Sequence, residues 1–347
     1  MGNRNSKKSK KSENSENSEN SVNSSNSANS SNSGRKLTEL KDPATIDYYE
    51  PYALKELNDK RIIYFTLKGN QIIVMTTNLN GSNDDIFIPI EYGVVESIIQ
   101  LKNNIVIYGT SRGLIDIISL QKDSYESKQK IINENNGVVK LVELNNLNFA
   151  SIMKNNDIIL LEKKRNQYEI TNKINYKSNI YFTSGIESSI NNQLLITTPS
   201  IFIFVDIYKK KILKEIKANE GKKNEDKGRE DISVFTENCL RYNDIIIVAG
   251  IIQFFLIDCK KQSIIKKVNI HDNNYPCCTL TRFVGDSFVT GSGFGEMAQY
   301  KLNKNGNDLE FIDKGGLYLD RVTTCVYSEC GRLIIGEYNG LVILSFY

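Results

Sequence analysis

"HDNNYPCCTLTRFVGDSFVTGSGFGEMAQYKLNKNG", residues 271–306, sets two short β-prone runs, TLTRF and SFVTGSG, on either side of a Val-Gly-Asp turn. The same layout returns in "VTTCVYSECGRLIIGEYNGLVILSF" (322–346) and in "VESIIQLKNNIVIYGTSRGLIDIISLQ" (95–121). Between and around these units run further segments of the same kind, among them RIIYFTL, QIIVMTT, QLLITT, IFIFVDI, DIIIVAG and QFFLID. Each is four to eight residues long, rich in Ile, Val, Phe and Tyr, and bounded by Gly, Asn, Asp or Lys, the pattern of short strands separated by turns. No long stretch keeps a helical period. The domain is expected to be all-β.

The strands recur at a fixed spacing. Taking the second strand of each unit, the centres lie at Tyr64, Val106, Ala150, Leu195, Ile247, Val289 and Ile334, at intervals of 42, 44, 45, 52, 42 and 45 residues. The long interval holds the charged insertion NEGKKNEDKGRED (219–231). A period in the low forties with four short strands per unit is the signature of a propeller blade, because a single blade cannot bury both its faces alone and needs neighbours. Seven centres predict seven blades. The weakly patterned third unit, 137–176, leaves six as the alternative count.

The units resemble those of the WD-repeat family. His271 stands in the place of the Gly-His histidine, Tyr300 in that of the Trp of Trp-Asp, and Asp206 and Asp258 match its Asp. The chain has no Trp and one His, so the Asp-His-Ser-Trp tetrad of that family is incomplete in every blade. The resemblance implies a seven-bladed, WD-repeat-like propeller serving as a protein-interaction platform, a monomeric ring that binds other proteins through its faces. The last unit supplies three strands, and a propeller hides such an open edge. The β-prone TIDYYEPY (45–52), ahead of the first full unit, is the expected ring-closing strand. The propeller is therefore placed at 45–347 and a tail at 1–44.

Residues 1–34 are almost wholly Ser, Asn, Lys and Glu. So little apolar surface cannot offset the entropy of ordering, and disorder is expected. The tail begins MGNRNSKKSKK, and Gly2 followed by Ser6 fits the N-myristoylation pattern. One myristoyl chain binds a bilayer only marginally, and a basic cluster supplies the second signal. Arg4, Lys7, Lys8, Lys10 and Lys11 form that cluster and are expected to face an anionic membrane surface. Ser6, Ser9 and Ser12 lie among the lysines, where phosphorylation cancels positive charge and releases the tail. The location implied is cytoplasmic, peripheral on the cytosolic side of a membrane.

The remaining composition mostly excludes. With 44 basic and 41 acidic residues the net charge is +3, so no global field draws the chain to nucleic acid. The N-terminus has no apolar core of a secretory signal, and no apolar run approaches the roughly 20 residues of a membrane span. The six cysteines include no C-x-x-C pair, which argues against zinc and against a disulfide framework. The adjacent Cys277 and Cys278 read as strand residues. His271 reads as a turn residue, and a Ser-His-Asp triad has no G-x-S-x-G elbow to build on. GSGFGEM (291–297) lacks the Lys-Ser/Thr ending of a phosphate loop and reads as a tight turn. The lysines of YKKKILKEIK (208–217) read as a charged outer edge. No catalytic residue, metal ligand or cofactor is expected. Two alternatives stand beside the tethered scaffold: a soluble cytosolic propeller without lipid, and a propeller enzyme with carboxylates in its central channel.

Overall fold

Short Ile-, Val- and Phe-rich runs alternate with Asn- and Gly-rich turns, and the chain folds on them into seven four-stranded antiparallel sheets arranged as a ring. The computed structural model describes residues 36–37, 41–46, 51–75, 85–102, 104–133, 136–219, 238–270, 277–315, 321–328 and 330–345. The expected disordered tail, 1–34, lies outside them. Strand β1 (Lys41–Ile46) belongs to the last blade. Blade 1 is β2 (Pro51–Glu56), β3 (Ile62–Thr66), β4 (Gln71–Met75) and β5 (Ile86–Pro89). Blade 2 is β6 (Val95–Gln100), β7 (Ile105–Thr110), β8 (Leu114–Leu120) and β9 (Tyr125–Ile132). Blade 3 is β10 (Val138–Glu143), β11 (Phe149–Met153), β12 (Asp157–Lys164) and β13 (Gln167–Asn175). Blade 4 is β14 (Ser184–Glu187), β15 (Gln193–Thr197), β16 (Ile201–Asp206) and β17 (Lys211–Lys217). Blade 5 is β18 (Cys239–Tyr242), β19 (Ile245–Ala249), β20 (Gln253–Asp258) and β21 (Ser263–Asn269). Blade 6 is β22 (Cys277–Arg282), β23 (Ser287–Ser292), β24 (Met297–Leu302) and β25 (Leu309–Gly315). Blade 7 is β26 (Val322–Tyr327), β27 (Arg332–Glu337) and β28 (Gly340–Ser345), completed by β1. The sequence expectation of a seven-bladed propeller is met. No helix among the described residues is long and apolar enough to cross a membrane.

Burial follows position in the blade. The second and third strands are covered by neighbouring blades on both sides, so β3 is buried at every residue and β16 at all but its first. The fourth strands face solvent and carry the polar residues, as in β9 and β17. Seven apolar clusters fill the seven gaps between blades. In the gap between blades 5 and 6, Tyr300 stacks on Phe288 at 5.6 Å and meets Phe254 edge-on at 4.9 Å. The position that resembles the family's Trp thus keeps an aromatic wedge, and such pairs contribute roughly 0.5–1.5 kcal/mol beyond their area.

The turn from first to second strand contains a left-handed residue in every blade: Lys60, Asn104, Asn146, Asn192, Asn243, Gly285 and Gly331, with φ between +50° and +80°. Asn tolerates this region better than other side-chain-bearing residues, which explains its place in these turns. The Asp residues matched to Trp-Asp close the turn from third to fourth strand. Asp206 accepts a hydrogen bond from the Lys209 amide at 2.9 Å, and Asp258 accepts from the amides of Lys260 and Lys261 at 2.8 and 2.9 Å.

Ring closure differs in register from the sequence reading. The outer strand that covers β28 is β1, with Ala44 opposite Ile343 and Ile46 opposite Leu341. Of the expected segment 45–52, Thr45 and Ile46 belong to β1, while Pro51 and Tyr52 already open β2. A boundary at 44/45 therefore cuts β1. The physical reason is that the closing strand is selected by its antiparallel pairing with β28, which the local β-prone pattern does not contain. Further upstream, Leu37 is 3% exposed in the gap between blades 6 and 7, and its amide donates to Gln299 Oε1 at 3.1 Å.

Candidate functional site: the two faces of the ring

Antiparallel order sends the turns between first and second strands, and between third and fourth, to one face, here the AB face. Turns between second and third strands, and the links from blade to blade, lie on the other, the BC face. The two faces differ in what they expose. Twelve large apolar side chains are exposed among the described residues. Leu67, Ile252, Phe294 and Tyr338 sit in the turns between second and third strands, and Tyr92, Val94, Ile132 and Tyr181 in or beside the blade-to-blade links. All eight belong to the BC face. The other four, Phe87, Ile170, Ile265 and Phe311, lie on outer strands. None lies in an AB-face turn.

Phe294 is 65% exposed and Tyr338 52%, on the adjacent blades 6 and 7. GSGFGEM is the turn that lifts Phe294: the Ser292 hydroxyl accepts from the amides of Phe294 and Glu296 at 3.3 and 3.1 Å, and Gly295 takes φ +81°. It joins strand to strand, as read from the sequence. On blade 2, the Arg112 guanidinium lies 5.9 Å from the Tyr92 ring centre.

On the AB face the inner strands end around the channel mouth, a pocket of about 490 Å³. Its charged lining comes from β2 (Lys55), β10 (Lys140, Glu143), β14 (Glu187), β18 (Arg241) and β22 (Arg282). Arg241 Nη1 donates to the carbonyls of Glu187 and Ser188 at 3.0 and 2.7 Å and lies 3.6 Å from Glu187 Oε2. Arg282 stacks over Tyr242 at 4.6 Å and donates from Nη2 to the Arg241 carbonyl. Burial in the mouth pushes the Glu187 carboxyl above the ordinary carboxylate range; Arg241 opposes this and Glu143 adds to it. Burial likewise raises Glu143, against the pull of Lys55 and Lys102, although its side chain opens to solvent at the rim.

These channel residues are not legible as a site in the linear sequence. They fall six to ten residues before the second-strand centres, so the blade period is the one signal that aligns them.

The sequence-derived candidates fare differently. Gly2, Arg4, Lys7, Lys8, Lys10, Lys11, Ser6, Ser9, Ser12 and His271 lie outside the described residues. Cys277 and Cys278 are buried in β22, and burial raises both thiols, Cys278 up to about 11. Among the described residues no group of three or more His, Cys, Asp or Glu side chains is placed to hold a metal. Lys211, Lys214 and Lys217 are exposed on the outer strand β17.

No family model and no curated protein matches the sequence. Solved structures do match in shape. A chain of the mitotic checkpoint complex superposes with a TM-score of 0.69 at 13% identity, over 90% of this chain and 96% of that one. The WD40 repeats of RRP9 give 0.68 at 12%, over 89% and 100%. Streptogramin B lyase gives 0.69 at 11%, over 90% and 100%. The protein is a seven-bladed β-propeller, similar in shape to WD40-repeat propellers and to the lyase. At these identities the likeness defines the fold, which hosts both binding proteins and an enzyme among its neighbours.

Proposed function

We propose that this protein is a non-catalytic protein-interaction scaffold whose partners dock on the BC face. One observation carries the reading: among the described residues, the exposed apolar side chains of the turns and links gather on that face and none lies in an AB-face turn. Aromatic groups in such positions anchor protein interfaces, because they bury much area at small entropic cost. The WD40 neighbours support the same use of the fold.

The finer reading places the scaffold at the cytosolic side of a membrane, through myristate on Gly2 and the charge of Arg4, Lys7, Lys8, Lys10 and Lys11. Ser6, Ser9 and Ser12 then provide a phosphorylation switch for release. What supports this is the amino-terminal pattern itself.

Two measurements test the two halves. Proximity labelling in the native cell, comparing wild type with Phe294→Ser/Tyr338→Ser, is expected to lose a shared set of neighbours in the variant at unchanged melting temperature. An unchanged set sinks the BC-face reading. Intact-mass measurement of the native protein, with Gly2→Ala as control, is expected to show one added myristoyl group; an unmodified Gly2 sinks the lipid anchor.

The competing reading is an enzyme with a carboxylate-based channel site, and Glu143 with Glu187 is the observation in its favour. Against it, Glu187 lies beside Arg241, and cations outnumber carboxylates in the mouth.

A further inference from the structure

The AB-face mouth has a property that scaffolding on the BC face does not use. Four cations, Lys55, Lys140, Arg241 and Arg282, meet two carboxylates, Glu143 and Glu187, around the pocket of about 490 Å³. The two guanidiniums are fixed in advance. Arg241 is held by two backbone carbonyls, and Arg282 is held by the Tyr242 ring and the Arg241 carbonyl. Among the described residues Arg282 has no carboxylate partner, whereas Arg241 also forms an ion pair with Glu187 at 3.6 Å. A guanidinium carries five N–H donors in a planar fork that matches the oxygens of a phosphate or carboxylate. Both retain donors after these anchoring bonds. Their neighbours across the mouth, Lys55 and Lys140, add charge without a fork.

We propose that the channel mouth binds a phosphorylated small molecule, gripped by Arg282 and Arg241 in a pocket that Lys55 and Lys140 also line. The volume falls in the range of small-ligand sites. A phosphate monoester carries about −2 and offers three oxygens to the two guanidinium forks, more than a single carboxylate does. Because the pocket opens on the face opposite the apolar residues, the scaffold reading stands or falls separately.

The experiment is calorimetric titration of the full chain with inorganic pyrophosphate, and in a second arm with citrate. Saturable pyrophosphate binding is expected, weakened about tenfold or more by Arg282→Ala, as expected for loss of charge-assisted hydrogen bonds. Arg282→Lys keeps the charge but loses the fork, and is expected to bind with intermediate affinity. Lys214→Ala, on the outer strand, is expected to bind as wild type. Circular dichroism checks that each variant is folded, and Lys140→Ala replaces Arg282→Ala if the latter is not. No saturable binding by the wild type overturns the proposal. So does a loss with Lys214→Ala as large as that with Arg282→Ala, which marks diffuse charge attraction. Tighter binding of citrate than of pyrophosphate overturns the choice of phosphate.

Discussion

Gly291 of blade 6 is the slot into which Val322 of blade 7 fits: a Cβ added to the glycine would lie 2.5 Å from Val322 Cγ1. The same fit recurs around the ring, where a Cβ on Gly109 would lie 2.7 Å from Val138 Cγ1 and one on Gly336 2.8 Å from Pro51 Cγ. In each case a glycine in the second strand admits the first residue of the next blade's inner strand. Close blade-to-blade approach therefore depends on a missing methyl group.

Gly291→Ala is expected to destabilise the protein by about 1–3 kcal/mol, the cost of overpacking a tight core. Gly293→Ala two residues later is the control. Its Cβ would meet Cys278 Sγ at 3.5 Å, an ordinary distance, and it is expected to stay within about 0.5 kcal/mol of wild type. Urea denaturation of both variants separates them; equal midpoints would show that the slot is slack.

Leu37→Ala is expected to cost about 2–5 kcal/mol, the range for removing a buried leucine side chain. The reason is that Leu37 fills the gap between Phe283, Val289 and Met297 although it precedes the first strand. Thermal melting measures it, and an unchanged midpoint would mean that residues 36–37 are dispensable to the closure of blade 7.

Alkylation with iodoacetamide at mildly alkaline pH is expected to label Cys330 first, since it is the exposed thiol of the six. Burial raises the thiols of Cys259, Cys277 and Cys278, which lowers their thiolate fraction as well as their access. Peptide mapping by mass spectrometry reads the order. Labelling of Cys277 in native protein at the rate of Cys330 would contradict the packing.

Pyrophosphate binding at the channel mouth is expected to tighten as pH falls from neutral toward the upper carboxylate range. The sign follows from the raised carboxyls. Burial holds Glu143 and Glu187 above the ordinary value, so they protonate first on acidification. Each proton removes a negative charge beside Lys55, Lys102 or Arg241. The Glu143→Gln/Glu187→Gln double variant is expected to bind more tightly at neutral pH and to lose this part of the pH dependence. A variant with the wild-type profile assigns the dependence to the ligand alone.

The seven centres Tyr64, Val106, Ala150, Leu195, Ile247, Val289 and Ile334 all fall within second strands, β3, β7, β11, β15, β19, β23 and β27. They were legible because these strands are buried on both sides and so read as uninterrupted apolar runs. The turn roles of Asp206 and Asp258 were legible too, since each is set within its own hairpin, and the aromatic at Tyr300 was legible from its place in the unit, though not its packing on Phe254 of the neighbouring blade. The closing strand was displaced from 45–52 to Lys41–Ile46, because the pairing that selects it is with β28, some three hundred residues away. The channel mouth was hidden for the same kind of reason: Lys55, Glu143, Glu187, Arg241 and Arg282 are single charges at the ends of five separate inner strands.

By itself, then, the sequence determines the blade and its period, which rest on local hydrophobic pattern and turn chemistry, and leaves the count at seven or six until the sheets are seen. It also carries the amino-terminal acylation pattern, which needs no fold to be read. Only the tertiary structure decides that the exposed Leu67, Tyr181, Phe294 and Tyr338 share one face and that four cations converge on the other. Strand direction sorts the turns to two faces, and ring closure brings the inner strands together. Both depend on pairings and packing between residues far apart in the chain, which no window of sequence contains.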